Sequence, residues 1–144
     1  MKSRKCLGKT DESLINTHIA LWILLDSEEL PIEARNLINR KNVEPVFSLI
    51  SMWEIAIKHA IHPDQMPITG SQFLDYCFQA DFQRLAVYEK HILEVEKLKR
   101  DENAPLHKNP FDRMLIAQAK AEETIFLTHD SLLAGYKEPC VTLV

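Results

Sequence analysis

Four polar side chains in this 144-residue sequence stand where chemistry could be done: Asn16, Glu54, Asp112 and Asp130. Each follows a short apolar run or falls near the start of the helix that comes next. Each also has an ordinary structural use. Asn16 can cap a helix beginning at Thr17, Ser51-x-x-Glu54 has the form of a capping box, Asn109-x-x-Asp112 is a looser version, and Asp130 can cap a short helix at 131–134. Taken singly, capping accounts for all four. Taken together they ask for more. If the runs before them are parallel strands, the four meet at the carboxyl edge of one sheet, where open α/β proteins bind ligands. Three carboxylates on one rim repel and raise one another's pKa values unless cations lie among them. Hard oxygen ligands suit Mg²⁺ or Mn²⁺. Such a cluster fits metal-assisted phosphoryl chemistry, in which a cation activates water and stabilises the leaving oxygen.

The elements that must position these groups can be read from pattern. Residues 13–16 form a short first strand, and 17–25 (THIALWILL) is almost continuously apolar, which predicts a buried helix. A second helix spans 31–41. Residues 43–49 are the second strand, weakened at its start by Pro45. A helix from Ser51 has an apolar face of Trp53, Ile57, Ala60 and Ile61, and 62–70, with Pro63, Pro67 and Gly70, is a loop. Another amphipathic helix covers 71–80, a third strand 83–87, and a helix 88–100 turns Ile92, Val95 and Leu98 inward. After a loop at 101–108, Asn109 caps a helix with Pro110 at its first position and Asp112 in its first turn, where the helix dipole favours negative charge. Strands at 124–128 and 140–144 close the chain. Strands and helices alternate, and several strands are apolar without polar alternation. The pattern predicts an α/β/α sandwich: a short parallel sheet with helices on both faces.

The totals bound the class. The length favours one domain, taken as 13–144, with the basic leader 1–12 as an extension lacking ordered structure. The apolar run after the leader ends at Asp26 without a small-residue cleavage site and is too short to span a bilayer, so no membrane role and a cytoplasmic location are expected. Cys6, Cys77 and Cys140 are widely spaced, which excludes a disulfide framework and a zinc ribbon. A formal net charge of −4 leaves no global basic footprint for nucleic acid. His59 and His62 share a helix face, but solvated histidines explain them; His18 and His129 adjoin site positions.

Four segments, Asn16-Thr17-His18-Ile19-Ala20-Leu21-Trp22, Ser51-Met52-Trp53-Glu54-Ile55-Ala56-Ile57-Lys58, the run 109–119 (NPFDRMLIAQA) and Leu127-Thr128-His129-Asp130, together resemble PIN-domain proteins, in particular the VapC-type toxins of toxin–antitoxin pairs. The resemblance runs in order from Ser13 to Val144. It implies a Mg²⁺- or Mn²⁺-dependent endoribonuclease acting on RNA, a homodimer, and a cognate antitoxin that blocks the site. Carried over by position, Glu54, Asp112 and Asp130 match the family's catalytic acids, with Asn16, Asp112 and Asp130 at the metal. Thr128 matches a hydroxyl position beside the last acid, and Arg113 a basic position beside the third.

The chain departs from the family at Asn16, where the resemblance calls for an aspartate. An amide oxygen can ligate a metal, but it carries no negative charge and cannot take a proton from attacking water. The departure implies attenuated or absent turnover. The alternative is a non-catalytic PIN-like module that binds RNA or antitoxin. A receiver-like phosphoacceptor domain fits poorly, since no lysine follows Asp130 at a suitable strand end.

Overall fold

The computed structural model describes residues 11–144. Five parallel strands lie in the order β3-β2-β1-β4-β5: β1 (Asp11–Ile15), β2 (Val43–Ser48), β3 (Gln83–Leu85), β4 (Ile125–Thr128) and β5 (Val141–Leu143). The helices are α1 (Thr17–Leu24), α2 (Ile32–Ile38), α3 (Leu49–Ile61), α4 (Gly70–Gln79), α5 (Glu89–Val95) and α6 (Pro110–Ala121), with a 3-10 turn at Ser131–Gly135. The expected α/β/α class is what folds. No helix among the described residues is long and apolar enough to cross a membrane.

The strands read as continuous apolar runs because both faces are covered. Successive side chains point to opposite sides of a sheet. Ile15, Phe47 and Leu127 therefore enter one core with Ile19, Ile55 and Phe73, while Leu14, Val46 and Phe126 enter the other with Ile50, Leu115 and Ile116. Pro45 is tolerated because it sits opposite Ser13 of β1, and β3 joins the ladder only from Val46 onward.

Several boundaries and faces differ from the sequence expectation. Asp11 and Glu12 belong to β1, and the Glu12 carbonyl accepts a hydrogen bond from the Thr124 hydroxyl, so the first strand begins at Asp11 and not at 13. Residues 1–10 of the expected extension lie outside the described residues. Helix α3 starts at Leu49 and is capped by Ser48, whose side chain accepts from the Ile50 N–H at 3.0 Å; Ser51-x-x-Glu54 is not its capping box. The buried face of α3 is Ile50, Ser51, Glu54 and Ile55, whereas Trp53 and Ile61 face outward. The helix is apolar nearly all round, and the sheet beneath it, not its own periodicity, selects the inner stripe. Helix α5 ends at Val95 and buries His91, leaving Ile92 exposed.

Candidate active site

The order β2-β1-β4 reverses the chain's direction of progress across the sheet at β1, and the crevice beyond those strand ends is the expected ligand position. Asn16 stands there as the residue after β1. Its amide oxygen accepts from the His18 N–H at 2.9 Å and so caps α1. Its amide nitrogen points across the crevice to Asp112 Oδ1 at 3.5 Å. As placed, the oxygen serves the helix and the donor faces the acid.

Glu54 is buried on the second turn of α3, and its two oxygens are both engaged. Thr17 Oγ1 lies 2.8 Å from Oε1 and also 2.8 Å from Ser51 Oγ; since a carboxylate only accepts, the threonine hydroxyl donates to it. Lys58 Nζ, one turn further on, donates to Oε2 at 2.7 Å. Read from sequence, Thr17 and Ser51 have helix-start roles only, not a role at the site. A threonine directly after a strand-end amide and a serine three residues before an acid are cap-like signals, and their pairing exists only once α1 and α3 meet.

Asp112 shows the strongest electrostatic signature of the rim. Asn109 caps α6 through the backbone N–H groups of Phe111 and Asp112, at 2.9 and 3.2 Å, so the Asp112 carboxylate is not needed for the cap. It turns inward and is 8% exposed. Burial, then the negative charges of Glu54 and Asp130, push its pKa up to about 6 against the opposing pull of His18 and Lys58. That is the mutual repulsion expected of carboxylates gathered on one edge.

A second group touching Asp112 was missed. His107, placed by sequence in a loop, is buried with Nε2 3.5 Å from Asp112 Oδ2 and Nδ1 2.6 Å from the Tyr136 hydroxyl. Burial lowers the His107 pKa, and Arg100 and Arg113 lower it further, while Asp130 pulls the other way. Arg113 Nη1 donates to the Tyr136 oxygen at 3.3 Å. A guanidinium only donates, so the tyrosine proton is left for His107 Nδ1, and the imidazole N–H then faces Asp112. Arg113 therefore acts on the site through Tyr136 and His107. Its other arm donates to the Val95 carbonyl at 3.4 Å. Nothing in the local sequence around 107 signals this chain, because its members come from three separate segments.

Asp130 is exposed, and one oxygen caps the 3-10 turn by accepting from the Leu132 N–H at 3.0 Å. Thr128 is fully buried and accepts from the Asp130 N–H at 3.1 Å, which shapes the turn that presents the acid. Beside it, the Trp22 ring stands 6.1 Å from His18 and 5.8 Å, edge-on, from His129. His59 Nδ1 lies 2.8 Å from the Met66 carbonyl, which ties down the loop after α3. Cys77 and Cys140 are free thiols, and burial pushes them up to about 12 and about 11.

The donor set is all oxygen, which suits a hard divalent cation. Among the described residues no three His, Cys, Asp or Glu side chains draw together as a finished cage. Mg²⁺ does not require one, since it keeps several waters and is held by one or two carboxylates. Asp112, buried and pushed up by its acidic neighbours, is the group whose ionised form a cation would favour.

A family model described as PIN domain matches residues 13–138. Among solved structures, VapBC2 from Rickettsia felis, bound to a DNA fragment from its promoter, contains a chain with a TM-score of 0.62 and 17% identity, covering 92% of this chain and 97% of that one. A chain of a toxin–antitoxin complex from Klebsiella pneumoniae gives a TM-score of 0.55 and 15% identity over 90% of this chain and 95% of its own. At those identities the likeness is one of fold. No match is found among curated protein sequences.

Proposed function

This chain belongs to the PIN-domain family, and on that premise we propose that it is a nuclease toxin of the VapC type, an endoribonuclease that hydrolyses RNA phosphodiesters with Mg²⁺ or Mn²⁺. The single observation that carries the reading is Asp112: a buried carboxylate held at the carboxyl edge within reach of the Glu54 and Asp130 charges. Structural acids are ordinarily paired with cations; this one has the Asn16 amide and the His107 ring beside it and two acids near enough to raise its pKa.

Asp112 and Asp130 hold the cation in this reading, with Asn16 at the position of a third ligand. The bound ion supplies Lewis acidity at the phosphodiester and lowers the pKa of water. The remaining work falls to the chain. Glu54, fixed by Thr17 and Lys58, orients the attacking water. His107, set by Tyr136, stands with Nε2 3.5 Å from the second Asp112 oxygen and limits where that oxygen can turn. Lys108, exposed beside the Asn109 cap, is available to the RNA backbone. Asn16 can take no proton from water and turns a donor toward Asp112, so turnover by the chain as written is attenuated.

That same amide geometry favours a second reading, a PIN-like module that binds RNA or antitoxin without cutting. Mn²⁺-dependent cleavage of a mixed cellular RNA pool by this chain, Asn16→Asp and Asp112→Asn separates them. The nuclease reading expects Asn16→Asp to cut faster than the parent and Asp112→Asn not to cut. Measurable cleavage by the parent that Asp112→Asn leaves undiminished overturns the site assignment; Mn²⁺ binding without cleavage by either parent or Asn16→Asp favours the binding module.

A cognate antitoxin is the expected partner, and the cytoplasm the expected location. The groove along α1, about 470 Å³ and lined by Leu21, Trp22, Leu25, Met66, Pro67 and Ile68, is where an amphipathic antitoxin segment would lie. Leu25→Asp should weaken that complex. The homodimer is read from the family, and sedimentation of the purified chain tests it.

A further inference from the structure

Trp53 and Phe111 each directly precede a rim acid, Glu54 and Asp112, and their rings meet edge-to-face with centroids 5.2 Å apart. Trp53 is 56% exposed, which is unusual for an indole that packing alone would account for. Trp53 also lines a groove of about 380 Å³ between α3 and α4, together with Leu49, Met52, Leu74, Phe78 and Arg84. Phe78 is also exposed, at 60%. Arg84 is exposed, and no side chain among the described residues pairs with its guanidinium.

We infer that this groove receives an unstacked nucleobase of single-stranded RNA next to the scissile phosphate, with Trp53 as the stacking surface and Arg84 as the contact to the adjoining phosphate. The inference rests on the nuclease reading and adds to it the residues that read the substrate. The volume falls within the range of roughly 300–1,000 Å³ typical of small-ligand pockets. A base offers a π face to the indole, and RNA-binding proteins gain affinity from such stacking whatever the base. An apolar helix laid in the same groove would cover Arg84 and leave its charge without a partner, which is costly. A flanking phosphate supplies that partner. With a net charge of −4 the chain offers no general attraction for a polyanion, so the groove's contribution would rest on stacking at Trp53 and the one local cation, Arg84.

The chain has two tryptophans, Trp22 and Trp53, so a Trp22→Phe variant leaves Trp53 as the sole indole reporter. Titrating it with a ten-nucleotide single-stranded RNA of mixed sequence, in EDTA so that no cleavage intervenes, is expected to quench the fluorescence. The same oligomer made abasic throughout should quench little. By anisotropy of labelled RNA on the otherwise native chain, Trp53→Ala should bind about tenfold more weakly and Trp53→Phe nearly as well as the parent. Arg84→Gln should flatten the dependence of log Kd on log salt by about 0.7, the loss of one phosphate contact on a single strand. Circular dichroism confirms that each variant is folded. RNA bound equally by parent, Trp53→Ala and Arg84→Gln overturns the groove assignment while the nuclease reading stands, as judged by Mn²⁺-dependent cleavage of the RNA pool in parallel. Quenching by an amphipathic helical peptide but not by RNA also overturns it and gives the groove to a protein. No RNA binding and no cleavage by either parent or Asn16→Asp brings down both readings.

Discussion

The two ends of α6 treat acidic side chains in opposite ways. At its start, Asp112 is buried beside other acids and an amide, and its carboxyl is pushed up to about 6. Toward its end, Lys120 reaches Glu94 and Glu138 at 3.2 Å each, and Glu138, equally buried, also accepts the Lys99 N–H at 2.7 Å. Glu122, just past the helix, meets His91 Nε2 at 2.7 Å and Lys90 at 3.0 Å. Burial works against the Glu122 charge, but the hydrogen bonds from His91 and Lys90 outweigh it and lower the pKa. Acids that hold the fold together are matched with cations. At the rim Glu54 keeps Lys58, but Asp112 has neither lysine nor arginine paired with it among the described residues, and a divalent cation would supply that missing charge.

The sharpest way to break the comparison is to neutralise the rim acid. In the Asn16→Asp background, Asp112→Asn should lower Mn²⁺ affinity and RNA cleavage by more than about a hundredfold, beyond the 10–100-fold that outer-shell changes cost. Isothermal titration and a cleavage assay measure both. The same substitution should leave the metal-free protein as stable as the parent or more so, because it removes a poorly solvated, repelled charge.

The pH dependence of stability should run in opposite senses at the two ends. The Asp112 pKa is raised from 3.8 to about 6, so the folded state holds that proton more tightly than the unfolded chain. Its contribution is fully present below pH 3.8 and is lost as pH rises through about 6, an effect of up to about 3 kcal/mol. Glu122 is lowered from 4.5, so its contribution is present above that value and lost as pH falls through its folded pKa. Urea denaturation from pH 3 to 8 without metal should show stability falling between about pH 4 and 6, and Asp112→Asn should abolish that fall. Saturating Mn²⁺ should offset it.

At the structural end, Glu138→Ala should destabilise by about 2 kcal/mol, because the Lys99 N–H loses its acceptor and Lys120 one of its two acids. Mn²⁺ affinity should not change. The smallest effect sharpens the account of how Glu54 is presented. Ser48→Ala should cost about 1 kcal/mol through loss of the α3 cap. Ser51→Ala should spare the cap and instead lower Mn²⁺-dependent turnover, since Ser51 bears on Thr17 and through it on Glu54.

Much of this was legible in the residues. The run 109–119 announced its cap, its proline and its inward acid, because those signals lie within one helical turn and need no tertiary partner. The strands were legible for a related reason: a run such as Phe126-Leu127 without polar alternation has no solvent face to offer. Helix α3 was misread because Trp53, Ile57 and Ala60 make as good an apolar stripe as Ile50 and Ile55 do, and a period of 3.6 does not say which stripe meets the sheet. Glu54 lies on the inner stripe with Ser51, so the error in the face concealed the Thr17–Ser51–Glu54 contact.

The sequence alone therefore determined the alternation of strands and helices, the parallel sheet, and the positions of Asn16, Glu54, Asp112 and Asp130 at its junctions. These follow from local periodicity and capping chemistry, which act within a few residues. Tertiary structure decided which way the side chains turned: the Asn16 nitrogen toward Asp112, Arg113 toward Tyr136, His107 onto the acid, and Trp53 out to the surface. Those orientations depend on desolvation and charge among groups as far as 96 residues apart in the chain, and such energies exist only once the fold has brought the groups together.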